Sequence, residues 1–125
     1  MVPQRIKNNA TIKCETSDLL YVGNKRCHMN CLSYYRANTQ IVDKIIGVAQ
    51  VFDDGKCVAH FVIKLKNGNY IDPTHGNISG LYDSLIPLKE YKPESFNPYY
   101  ELTSLKDYIF EMNPWYYRWF HKNLY

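Results

Sequence analysis

The sequence predicts an α+β domain in which one helix precedes an antiparallel sheet of at least three strands and further helices follow it. Three observations lead there. Cys27, Cys31, Tyr34 and Tyr35 fall at i, i+4, i+7 and i+8, one face of a helix. Two β-branched, apolar runs come next, each followed by a glycine turn. The aromatic end of the chain then returns to helical spacing.

In chain order, residues 1–20 read as an irregular arm with a candidate edge strand over 10–14. Asn24 can cap a helix over residues 26–37, and Asn38 is its expected stop. Strands are expected at 45–52 and 57–65 around Asp53-Asp54-Gly55, and at 69–73 after Lys66-Asn67-Gly68. Both turns carry glycine at the third loop position, which suits a type I turn with a G1 bulge. Such turns set Val48 opposite His60 and Val62 opposite Asp72. His60, Asp72 and Gln50 then share one face, with His60 and Asp72 diagonal neighbours about 7–8 Å apart at the backbone. A two-residue turn at Asn67-Gly68 would send Asp72 to the opposite face instead.

That opposite face holds Ala49, Val51, Ala59, Phe61, Ile63, Leu65 and Ile71, is wholly apolar and needs cover. Residues 76–100 read as a loop. Thr103 can cap a helix over 104–112, and Pro114 fits the first position of another over 114–122, whose Trp115, Trp119 and Phe120 would close the core. The expected layering puts the first helix on the His60/Asp72 side and the C-terminal helices on the apolar side.

Composition bounds the function. A chain of 125 residues, 46% hydrophobic and 22% charged, reads as one folded domain spanning residues 1–125. Its twelve tyrosines fit half-buried positions, where the ring packs and the hydroxyl finds a partner. A net charge of +3, with Lys25-Arg26 the one adjacent basic pair, argues against a nucleic-acid partner. No apolar run approaches the ~20 residues of a membrane span, and no leader-like segment opens the chain. The four cysteines are therefore read as free thiols in a cytoplasmic protein.

The chemistry starts from Cys27. A thiolate, not a thiol, is the nucleophile, and the first turn of a helix favours an anion through its unpaired N–H groups and partial positive charge. Cys27 is expected in that turn, directly after Lys25 and Arg26. His60 is the candidate base and Asp72 the acid that orients it. The Cys27 backbone N–H, with Gln50 or Asn30 as a second donor, would hold the reacting carbonyl oxygen. No cofactor is required, and the expected partner is a protein or peptide-like amide substrate. Cys31 and Cys57 read as inert core thiols, and His28, His75 and His121 as structural. Two alternatives stay open: a metal set of Cys27, His28 and Cys31 completed by His60 or His75, and a non-catalytic interaction module.

Cys27-His28-Met29-Asn30 opening a helix, Ala59-His60-Phe61-Val62 on a strand, and Asn67 to Thr74 after it together resemble small bacterial and phage proteins. Those carry C-H-x-N, a strand histidine and an x-D-x-T tail behind a glycine turn. More distantly, the order of cysteine, histidine and aspartate resembles the transglutaminase-like branch of the papain-like cysteine enzymes. The resemblance covers about residues 23–75. It implies a papain-like fold with Cys27 as nucleophile, His60 as base and Asp72 as orienting acid, acting on an amide or thioester.

Overall fold

The computed structural model describes residues 11–14, 26–52, 57–75 and 83–111. Helix α1 (Cys27–Ala37) leads into β1 (Val42–Phe52), β2 (Cys57–Leu65), β3 (Tyr70–Ile71) and β4 (Asp83–Tyr91). A 3₁₀ turn (Pro93–Ser95) and helix α2 (Pro98–Glu111) follow. The four strands form one antiparallel sheet in the order β3-β2-β1-β4. The fold is therefore α+β.

The strands pair in the expected register. Val48 lies opposite His60, and Ile63 and Lys64 lie opposite Ile71 and Tyr70. At the second turn the Leu65 N–H donates to the Asn69 carbonyl at 2.8 Å, while Gly68 takes φ +91°, a conformation that glycine adopts without steric cost. Continuing this register sets Asp72 opposite Val62, on the side of His60.

Several boundaries differ from the sequence reading. β1 begins at Val42 rather than 45, and β3 is confined to Tyr70–Ile71. The next residue of β3 that would pair through its backbone is Pro73, which has no N–H to offer, so the ladder stops there. β4 lies within the expected loop. Pro87 obscured it, because proline is compatible only with an edge strand, and β4 is an edge, with a register shift between Gly47 and Val48 on its partner. Helix α2 starts six residues before the expected 104. Asn97 accepts the Tyr100 N–H through its side chain, and Pro98 occupies the first helical position. Thr103, expected as the cap, lies inside the helix with its hydroxyl donating to the Tyr99 carbonyl. The expected helix over 114–122 with Trp115, Trp119 and Phe120, the Asn24 cap, His121 and the Asp53-Asp54-Gly55 turn lie outside the described residues.

The layering also needs correcting. Cys27, Cys31 and Leu32 of α1 and Leu105 and Ile109 of α2 enter one core with Ala49, Phe61, Ile63, Leu65 and Ile71. Both helices thus cover the same apolar face, because only that face offers enough hydrocarbon to bury their stripes. The other face gathers Ile46, Val48, Val62 and Leu85 into a smaller cluster, against which Ile12, Cys14 and Tyr70 pack. The arm was expected as an edge strand, but it makes two isolated bridges, Ile12 to Leu85 of β4 and Cys14 to Tyr70 of β3. Touching both edge strands within three residues requires the sheet to curl until its edges approach.

Candidate active site

The site forms where α1 begins, at the edge of β2 that β3 leaves uncovered. Helix α1 opens without a side-chain cap and without an acidic residue in its first turn. Its first intrahelical bond runs from the Asn30 N–H to the Arg26 carbonyl at 2.9 Å. The N–H groups of Cys27, His28 and Met29 therefore have no partner within the helix. Cys27 occupies the first helical position, and Asn38 ends the helix as expected, its side chain donating to the Tyr34 carbonyl.

The strand supplies two groups. Leu65 donates toward β3, so alternation along β2 turns the Phe61 N–H the same way. Opposite Phe61 the register reaches Pro73, beyond the end of β3. The Phe61 N–H is thereby released to the open edge, where it hydrogen-bonds the Cys27 sulfur. The second group is the His60 imidazole, whose Nε2 lies 2.7 Å from Asp72 Oδ2, leaving Nδ1 for the sulfur.

Asp72 is fixed from behind. Its Oδ1 accepts the backbone N–H groups of Thr74 at 3.0 Å and His75 at 3.1 Å, an aspartate-turn arrangement. The Thr74 hydroxyl in turn accepts from Asn30 Nδ2 at 2.9 Å, tying the turn to α1 one helical turn beyond the nucleophile. The His75 ring lies 4.9 Å from that of His60. Cys27, His60 and Asp72, read from sequence as a set, are thus brought together.

The electrostatics follow from these contacts. Burial alone would push the Cys27 thiol up. Hydrogen bonds from His28, His60 and Phe61 and the His60 charge outweigh it and bring Cys27 down to about 6. Burial likewise opposes a charged His60, but the Asp72 charge and hydrogen bond, with the Cys27 contact, raise it to about 10. Burial would raise Asp72, and the His60 charge holds it below the ordinary carboxylate value. At neutral pH the trio is a thiolate–imidazolium pair backed by a carboxylate. Burial takes Cys57 the other way, to about 11, and takes Cys31 well above its ordinary value. All four cysteines are free thiols.

Gln50 and Asn30 are both buried and both engaged. Gln50 donates to Asp83, fastening β1 to β4, and Asn30 donates to Thr74. The sequence reading gave Thr74 no role and took His75 as structural or as a metal ligand, although Asp72 followed by two turn residues is the local signal for an aspartate accepting N–H groups ahead of it. His28, read as structural or as a metal ligand, also reaches the Cys27 sulfur. Among the described residues, His60, Asp72 and His75 are the group whose ligand atoms lie within 4.8 Å of one another, rather than the cysteine-based set weighed from sequence. His60 Nε2 and Asp72 Oδ2 already share a hydrogen bond, so a cation between them would have to displace its proton.

Among the described residues, no helix is long and apolar enough to cross a membrane. Compared with protein-family models, curated proteins and solved structures, the chain matches none.

Proposed function

We propose that the protein is a cysteine-dependent hydrolase or acyl transferase of papain-like, transglutaminase-like architecture, acting on an amide or thioester of a protein or peptide-like substrate. The observation that supports the reading is the hydrogen-bonded line from the Cys27 sulfur through His60 to Asp72. The Cys27 thiolate attacks the carbonyl carbon, forming the C–S bond, while the first-turn N–H groups of α1 receive the developing oxyanion. The His60 imidazolium gives its proton to the departing amine or thiol as the original carbonyl bond breaks. Water, or an amine in the transferase case, then attacks the acyl-enzyme. His60 takes the proton of that nucleophile, and the C–S bond breaks to restore the thiolate. Asp72 keeps the imidazole aligned throughout and stabilises its protonated form.

An activated acyl donor tests this. Incubated with S-phenyl thioacetate, the protein is expected to gain one acetyl group on Cys27, seen by peptide mass spectrometry, and to lose it to water or to added glycinamide. His60→Ala is expected to slow acylation by about 10²-fold or more. Acetylation spread evenly over the thiols, or unaffected by His60→Ala, would count against the proposal.

A further inference from the structure

The proposed reaction employs one imidazole at the sulfur, yet two are present. His28 is 7% exposed, and its Nδ1 is buried without a hydrogen-bond partner among the described residues. The same ring lies beside the Cys27 sulfur, whose thiolate it favours. An imidazole nitrogen that carries no proton offers a lone pair to a donor. A buried acceptor without a donor is costly and calls for an explanation, and beside a nucleophile the natural one is an absent ligand.

The outer side of the ring indicates where that ligand lies. His28 stands edge-on to Tyr99, with centroids 5.7 Å apart and planes at 66°. Tyr99 belongs to the first turn of α2 and is 61% exposed. The imidazole therefore lies between the sulfur and an aromatic ring open to solvent. An aromatic face beside a buried acceptor matches an acyl group that carries both an N–H and an apolar side chain.

We propose that His28 and Tyr99 form the acyl-side subsite, in which His28 Nδ1 accepts the N–H next to the reacting carbonyl and Tyr99 packs against the neighbouring side chain. The substrate class this assigns is a peptidyl acyl group rather than a plain aliphatic one. The inference rests on Cys27 being the nucleophile, as proposed above.

The test compares N-acetyl-phenylalanine chloromethyl ketone with its N-methyl counterpart, which lacks the N–H, by following the second-order rate of Cys27 alkylation. In the native protein N-methylation is expected to slow the reaction about tenfold, the scale of one hydrogen bond. In His28→Phe the two probes are expected to react alike, and in His28→Gln, which restores an acceptor, part of the difference should return. The lost contact with the sulfur affects both probes equally and cancels in the ratio. Tyr99→Ala, at an exposed position, is expected to erase the preference for the phenylalanine probe over its glycine analogue. An N-methyl penalty of equal size in native and His28→Phe protein would overturn the subsite, as would an unchanged side-chain preference in Tyr99→Ala. Failure of the native protein to alkylate at Cys27 with either probe would overturn the nucleophile assignment itself, which is a different result.

Discussion

At the scale of single residues, the site depends on buried charge being paired. His60 and Asp72 are almost wholly buried, and each would resist ionisation alone. Together, with two backbone N–H groups on Asp72 and the sulfur on His60, they hold opposite charges. Replacing Asp72 by Asn removes the largest influence raising His60 while preserving shape. The His60 value, followed by NMR of its ring protons, is expected to fall from about 10 toward or below the ordinary 6.5. A His60 value left near 10 would show that the carboxylate does not hold the imidazolium. The trio itself was legible in the sequence because turn chemistry fixes which side chains share a face. Its supports were not. Thr74, His75 and the Phe61 N–H act through backbone groups or turn geometry, and residue type does not advertise those.

At the scale of elements, two sequence features that look like defects place the site. Pro73 cuts β3 short and opens the β2 edge to the sulfur. The uncapped start of α1 forgoes a contribution of about 1 kcal/mol and leaves its N–H groups turned toward an anion. On the interior strand β1, Gly47 allows Tyr91 and Leu105 a close approach. A methyl group there would meet the Tyr91 ring at 3.0 Å and Leu105 at 3.1 Å. Gly47→Ala is expected to cost roughly 1–3 kcal/mol in urea unfolding through overpacking, with Cys27 reactivity unchanged. The Tyr91 hydroxyl is buried without a partner among the described residues, and Tyr91→Phe is expected to raise stability by about 1 kcal/mol. A Gly47→Ala protein as stable as the native one, or a destabilised Tyr91→Phe, would contradict this packing. Helix α1 and strands β1 and β2 could be read from periodicity. Strand β4 could not, because Pro87 obscures it until its edge position is known. The early start of α2 has a local signal, Asn97-Pro98, whereas the sequence reading placed the cap at Thr103.

At the scale of the whole molecule, both helices lie on one face, and the site sits where that layer meets the sheet edge. Cys27, His60 and Asp72 come from α1, from β2 and from the turn after β3, so their coupling exists only in the folded chain. The sequence reading expected the helices on opposite faces, since it asked which face held the histidine. It did not ask which face could bury two apolar stripes. The fold answers by carrying the sulfur to the imidazole around the strand edge, so an apolar core and a charged site share one helix.

The most direct measurement is the pH dependence of iodoacetamide alkylation at Cys27, followed by peptide mass spectrometry. Because Cys27 is depressed to about 6 and His60 raised to about 10, the reactive ion pair should form as pH rises through about 6 and persist until about 10. The rate is expected to climb with a midpoint near 6 in the native protein. In His60→Ala, or in the urea-unfolded chain, the midpoint should move up toward the ordinary thiol value of about 8.5. A native midpoint already at 8.5 or above, unmoved by His60→Ala, would show that the sulfur and the imidazole do not act as a pair.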